Sequence, residues 1–300
     1  MSTADSTLQA SLEELRCPAC GSASHNFTDS FVFKSARGLK PWKRCPNCRA
    51  YFLTESYDSV REVTHTTKAA WGRDDTGLEL NDFKQRMFHS VIGLLNAHCP
   101  PPATLLDVGC SYGGFLIEAR KAGYNVCGFD IVPRAVEYVR SQALSAEIAF
   151  SIGRVKSVED ESLDVITCLD CNYYWSHQTA ELAHAYMKLK GGGYLAMRVV
   201  DKSWMFSLGL LFCRVSKIFG ERTLRAAVND HRFSMPLQSL LKVLRGTGFE
   251  VRYVSPRGAI HSDRTRFPVK LSFGVGGGLW ATGAGMFAPG ALILARKPAQ

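Results

Sequence analysis

Ala103-Thr104-Leu105-Leu106-Asp107-Val108-Gly109-Cys110-Ser111-Tyr112-Gly113-Gly114-Phe115-Leu116 is the stretch around which the other segments of the chain fall into order. A short apolar strand ends in Asp-x-Gly-x-Ser-x-Gly and runs into a helix from Phe115 to Ala122. Small residues at Gly109, Ser111 and Gly113 let backbone approach a ligand closely. The helix N-terminus behind them offers free N–H groups and the positive end of a dipole. The spacing is not the Gly-x-Gly-x-x-Gly of a dinucleotide site, so this segment alone does not say which nucleotide binds. Tyr124 to Asp130 is a second short strand ending in an acid, 17 residues beyond Gly113. An acid at such a tip accepts hydrogen bonds from both ribose hydroxyls. The alternative is an N-cap or surface acid; the glycine loop ahead of it favours the ribose.

These two segments resemble those of class I S-adenosylmethionine-dependent methyltransferases. Leu105 to Gly113 matches the family's first motif, and Asp130 its ribose-binding acid. Further matches follow in order. Ser162 to Asp170 looks like the fourth strand, and Leu189-Lys190-Gly191-Gly192-Gly193 like the turn into the fifth. Phe233-Ser234, Leu240 to Leu244 and Gly248 to Val251 resemble the late helix and sixth strand, and Leu292 to Arg296 the last strand. The resemblance covers roughly Phe83 to Lys297. It implies an α/β fold, a Rossmann-like seven-stranded sheet with helices on both faces. It also implies S-adenosylmethionine contacts at Asp107, Gly109, Cys110, Ser111, Gly113, Asp130, Ile131 and Asp170. Two features depart from the family. The positions after the third strand, Ile152, Gly153 and Arg154, hold no acid for the adenine amine, so adenine recognition is expected to rest on backbone and apolar contacts. The region after the fourth strand, Asp170-Cys171-Asn172-Tyr173-Tyr174-Trp175, lacks the Glu-His many relatives carry and keeps only the ends of an Asn-Pro-Pro-Tyr motif.

Ahead of this domain, Cys17-Pro18-Ala19-Cys20-Gly21 is echoed by Cys45-Pro46-Asn47-Cys48-Arg49. Two Cys-x-x-Cys pairs separated by 24 residues predict a closed, tetrahedral zinc site with ligands Cys17, Cys20, Cys45 and Cys48. With no open position such a zinc is structural, and it lets a small unit fold without a sizeable core. Phe31, Val32 and Phe33 suit a strand between the knuckles. The expected organisation is a ribbon over 1–60, a connector over 61–82 and a methyltransferase domain over 83–300. Such a pairing resembles small-molecule methyltransferases of bacterial secondary-metabolite and surface-glycan pathways. The other six cysteines, Cys168 and Cys171 among them, read as small core residues.

Of 36 basic and 27 acidic side chains, residues 201–300 hold 15 and 5, so the whole positive excess lies in the last third. An anionic partner belongs there. No signal peptide or lipidation motif stands at the N-terminus, and the expected compartment is the cytoplasm. Residues 203–228 read as a lid-like insertion that mixes Trp204, Phe206, Leu211 and Phe219 with Arg214, Lys217, Arg222 and Arg225. This composition suits a lid, a dimer contact or a membrane-facing surface. Leu271 to Ala295 is an uncharged run of 25 residues, but its seven glycines and its use as the last strand oppose a membrane span.

Methyl transfer needs alignment of acceptor and cofactor, and an oxygen acceptor also needs a base. His231 is the first candidate, with His177 and Tyr173 beside the expected methyl position. The alternative for His231 is a helix-entry histidine paired with a neighbouring acid. The function expected is O-methylation of a glycan, lipid-linked or natural-product acceptor, with peripheral membrane contact and a homodimer among the expected associations. Two alternatives stand. An RNA-modifying methyltransferase would show steep salt dependence, although the chain lacks interleaved basic and aromatic runs. A non-catalytic binding protein on a degenerate scaffold would not bind S-adenosylmethionine.

Overall fold

Short apolar strands alternating with amphipathic helices leave the chain one economical solution, a parallel sheet covered on both faces. The computed structural model describes residues 15–23, 27–35, 38–54, 82–228, 232–255 and 290–299. Its main sheet uses β4 (Thr104–Val108), β5 (Asn125–Asp130), β6 (Ser145–Ile148), β7 (Leu163–Leu169), β8 (Leu189–Val200), β10 (Glu250–Ser255) and β11 (Gly290–Arg296). The spatial order is β10-β11-β8-β7-β4-β5-β6. β6, β5, β4, β7 and β8 run parallel, while β11 is antiparallel to both β8 and β10. The expected seven-stranded Rossmann-like sheet is therefore present, and the end of the 271–295 run is its β11.

Alternation along the strands divides the core between the two faces. Leu105, Val165 and Ala196 turn toward α1 (Asp82–His98), α2 (Gly114–Lys121) and α3 (Pro133–Ser141), meeting Val91, Leu116 and Val136. Leu106, Ile166 and Met197 turn the other way, toward α4 (Gln178–Lys188) and α7 (Leu237–Gly246), meeting Leu182 and Leu241. The chain leaves β4 toward β5 and β6, then returns to lay β7 on β4's other side. That reversal opens a crevice at the carboxyl ends of β4 and β7, where such sheets bind ligands.

The N-terminal knuckles lie against a second sheet made of β1 (Thr28–Ser35), β2 (Gly38–Arg44) and β3 (Tyr51–Leu53). Its fourth strand comes from far along the chain: β9 (Phe233–Ser234) pairs with β3, Tyr51 opposite Ser234. A strand from the methyltransferase part of the chain thus completes the sheet beside the knuckles. The insertion at 203–228 is a pair of helices, α5 (Ser203–Cys213) and α6 (Lys217–Val228). Its inner face is occupied by the ribbon. Phe206 is fully buried and packs on Trp42, Tyr51 and Phe31 at ring-centroid distances of 5.2, 4.8 and 5.6 Å. Among the described residues no helix is long and apolar enough to cross a membrane. Residues 271–289 and most of the 61–82 connector lie outside the described residues.

A short 3₁₀ turn, Ile152–Arg154, follows β6, at the positions where the family resemblance implies an adenine-binding acid. Glu181 on α4 braces it from behind, its Oε2 accepting the Ile152 N–H at 2.8 Å. Burial pushes the Glu181 carboxyl up to about 7, against that hydrogen bond, which acts to lower it. Between an unfolded value near 4.5 and about 7, the folded chain holds a proton that the unfolded chain has lost. Stability therefore falls as pH rises through this interval and levels off above it. Glu181→Gln keeps an acceptor for Ile152 and removes the titration. It is expected to raise stability by on the order of 2 kcal/mol at about pH 8 and to change little at about pH 5. Urea midpoints at the two pH values check this; an equal shift at both would contradict it.

Candidate active site

The loop after β4 is shaped by left-handed backbone. Gly109, Ser111 and Gly113 have φ of 69°, 48° and 77°. Gly113 is also sterically required, because a Cβ there would sit 2.9 Å from Val139 Cγ2. The N–H groups of Gly109 and Cys110 both donate to the Phe129 carbonyl, at 2.9 and 3.0 Å. Asp130, at the tip of β5, ties the loop from the other side. Its Oδ2 accepts the Ser111 N–H at 2.8 Å and its Oδ1 the Val132 N–H at 2.9 Å. Burial pushes this carboxyl up, and the backbone donors hold it down. Each oxygen keeps a lone pair for a further donor. Ser111 Oγ and Asp170 Oδ1 are buried with no hydrogen-bond partner. Buried orphan polar atoms beside a glycine cradle fit a polar ligand that supplies the missing partners.

Beneath the loop lies a charged floor. Asp107 is buried and accepts a 2.6 Å hydrogen bond from Thr167 Oγ1 on β7. Burial pushes its carboxyl up to about 7, partly countered by that hydroxyl. Asp170, just past β7, forms an ion pair with Arg198 near the end of β8. Lys84, from the first turn of α1, joins them. Burial pulls its ammonium down to about 8, with Asp170 and Asp107 opposing the shift and Arg198 adding to it. Lys84 and Arg198 were not singled out in the sequence as neighbours of this pair of acids. Arg198 carried a signal, as a lone charge inside Leu195-Ala196-Met197-Arg198-Val199-Val200. Lys84 carried none, since a lysine in an amphipathic helix reads as solvated surface.

A family model described as a methyltransferase domain matches residues 78–254. The chain belongs to this methyltransferase family. Among curated proteins it is similar to a ubiquinone biosynthesis O-methyltransferase of Xanthomonas axonopodis pv. citri, 28% identical over 164 residues, 52% of this chain and 66% of that protein. It is 32% identical over 110 residues to the protein of the same name from Xanthomonas campestris pv. campestris, 34% of this chain and 45% of that one. The chain thus spans between roughly half and two thirds of the length of these relatives. Two solved structures share the fold. One is the N-methyltransferase NodS from Bradyrhizobium japonicum with S-adenosyl-L-homocysteine, TM-score 0.51 at 12% identity, covering 81% of this chain and all of that one. The other is a chain from the complex of the Haloferax volcanii Trm112 activator with a methyltransferase, TM-score 0.51 at 15% identity and the same coverage. The class I fold expected for an S-adenosylmethionine-dependent methyltransferase is the one observed.

In this methyltransferase the rim of the crevice is a 3₁₀ turn, Asn172–Tyr174. Buried Asn172 anchors it by donating from Nδ2 to Gln178 Oε1 at 3.0 Å. The Tyr173 and Tyr174 rings are half-buried, with centroids 4.7 Å apart. Arg232 clamps the turn: its N–H donates to the Tyr173 carbonyl at 3.2 Å and its Nη1 to Ser176 Oγ at 2.9 Å. His177 is exposed at the N-cap of α4. His231, with Asn229 and Asp230, lies outside the described residues. Ile131 follows Asp130 and is partly exposed, and Cys110 is buried beneath the loop. Cys168 and Cys171 are a third Cys-x-x-Cys, with sulfurs 3.1 Å apart and Cys171 donating to the Val108 carbonyl at 3.0 Å. Read in sequence as scattered core residues, they form a pair whose Cys171 packs against Gly109.

The four ribbon cysteines converge. Their sulfurs all lie within 4.8 Å of one another. Cys17 is 3.7 Å from Cys48, and Cys20 is 3.8 Å from Cys45. A tetrahedral zinc with Zn–S bonds of about 2.3 Å sets its sulfurs about 3.8 Å apart, so the donor set fits that ion. The two knuckles repeat one hydrogen-bond pattern: Gly21 N–H to the Cys17 carbonyl, and Arg49 N–H to the Cys45 carbonyl. Both need left-handed backbone, φ 72° at Gly21 and 60° at Arg49. Hydrogen bonds among the crowded thiols push Cys17 up to about 12 and raise Cys48 while they pull Cys20 down, so one thiolate forms at the expense of its neighbours when no cation is near. A divalent ion removes that penalty.

Proposed function

We propose that the chain catalyses S-adenosylmethionine-dependent O-methylation of a small apolar or lipid-linked acceptor, with a structural zinc in its ribbon. The observation that carries this reading is the cradle. Glycines in left-handed backbone, the ribose-acid position and two orphan polar atoms meet at the switch point of a methyltransferase sheet. Asp130 takes the ribose hydroxyls, and the backbone from Gly109 to Gly113, with Ile131, lines the nucleoside. Lys84 and Arg198 face the carboxylate of the cofactor's amino-acid end, and Asp107 and Asp170 its ammonium. When bound, S-adenosylmethionine supplies a methyl group whose bond to the sulfonium sulfur breaks as a bond to the acceptor oxygen forms. Tyr173 and Tyr174 bound the acceptor pocket with aromatic surface. His231 accepts the hydroxyl proton; His177 is the second candidate. The oxygen preference and the apolar acceptor follow the curated relatives, named for ubiquinone biosynthesis. The test is release of S-adenosylhomocysteine with prenylated catechols, hydroxylated sugars and primary amines offered in parallel. Turnover of catechols supports the reading. Turnover confined to amines rejects the oxygen preference, and failure to bind S-adenosylmethionine rejects the cofactor.

A further inference from the structure

Exposed apolar surface is concentrated at the tip of the helical hairpin. Of the eleven large apolar side chains exposed among the described residues, five fall within 211–219: Leu211, Phe212, Val215, Ile218 and Phe219. Val215 is 87% exposed, Ile218 81% and Phe219 66%. The inner face of the hairpin is already spent on Trp42 and Tyr51 of the ribbon. Gly220 holds the two helices close, since a Cβ there would meet the Cys213 backbone nitrogen at 2.5 Å. The tip is therefore a rigid, outward-facing apolar knob. Leaving such a cluster in water is costly, and monomeric proteins rarely do so without a use.

The surrounding charge indicates the occupant. Residues 203–228 carry Arg214, Lys217, Arg222 and Arg225 against the single acid Glu221. Leu211 also borders a cleft of about 1300 Å³ between the ribbon and α7. Among the described residues that cleft is lined by Arg44, Arg49 and Lys242 and by no carboxylate. An apolar knob flanked by cations matches an anionic lipid surface: acyl chains take the knob while headgroup phosphates meet the cations. A globular partner or a second copy would have to match an apolar tip and a one-signed collar together, whereas a bilayer offers both everywhere.

We infer that the α5–α6 tip docks the protein on anionic membranes, with Leu211, Phe212, Val215, Ile218 and Phe219 inserted and the neighbouring cations held against lipid phosphates. Docking rests on this surface alone and does not depend on the acceptor. The test is co-sedimentation of the full metal-loaded chain with vesicles of phosphatidylcholine, with or without an equal share of phosphatidylglycerol. Binding is expected to be at least about tenfold stronger with the anionic lipid and to weaken as salt is raised. Val215→Asp combined with Ile218→Asp is expected to reduce binding at least about tenfold, with thermal midpoint and S-adenosylmethionine affinity unchanged, since both side chains are solvent-exposed. Arg214→Glu with Lys217→Glu should lower binding to the anionic vesicles alone. Absence of wild-type binding to the anionic vesicles overturns the inference, and so does equal binding by the Val215/Ile218 variant. A wild-type dimer that the same variant converts to monomer, with no vesicle binding by either, assigns the tip to a second copy and also overturns it.

Discussion

Asp130→Asn is expected to weaken S-adenosylmethionine binding about 100-fold. Two hydrogen bonds from ribose hydroxyls to a charged carboxylate would be lost or become neutral, at roughly 1.5 kcal/mol each. The amide keeps one acceptor oxygen for the loop and turns its NH₂ against a second backbone donor, Ser111 N–H or Val132 N–H. The cradle should loosen locally while the sheet stays intact, because Asp130 is the last residue of β5 and the strand's pairing with β4 does not use its side chain. Calorimetric titration gives the affinity, and thermal unfolding shows that the fold has survived. An unchanged affinity would remove the ribose role from Asp130 and leave it as a loop brace.

Zinc is expected at one equivalent per chain, and Cys45→Ser should abolish its retention. Structural zinc contributes an apparent ~10–16 kcal/mol in isolated fingers at neutral pH, and here the knuckle cysteines pack into the core beside Phe27, Ala50 and Phe52. Cys17, Cys45 and Cys48 are buried, so without the ion their thiols form a polar cluster with poor partners. Loss of the knuckles should spread along a definite route. β3 would lose its footing beside β9, and Phe206 would lose Trp42 and Tyr51. Rapid proteolysis near residues 27–54 and in the helical hairpin is the expected signature, with the methyltransferase sheet still protected. Metal analysis and mass spectrometry of the digest check both parts. A chain that holds no metal yet resists protease there would exclude the zinc.

The glycine loop and the cysteine knuckles were the most legible features because both are written at short range. Gly109, Ser111 and Gly113 announce close backbone approach to a ligand by their small size, and Cys17-x-x-Cys20 with Cys45-x-x-Cys48 announce a four-thiol cluster by donor number and spacing. The strand order was legible through the family resemblance, since each strand's apolar run keeps its place between recognisable turns. The helical hairpin was only half legible. Its mixed apolar and basic composition marks an unusual surface, but composition does not say which residues face inward.

What the amino-acid order by itself determined about this protein is local: the glycine loop, the acid at Asp130, the two knuckles and the alternation of strands and helices. These depend on backbone preference and on side-chain periodicity over a few residues, and neighbours in sequence decide them. Only the tertiary structure brought Lys84 and Arg198 to the floor of the crevice, paired β9 with β3, and set Cys171 beneath Gly109. It also divided the hairpin into a buried face and an exposed tip. Each of these is a contact between residues distant in the chain or a choice of which face to bury. Sequence spacing carries no term for such choices; they are settled by where apolar surface can be removed from water once the sheet has formed.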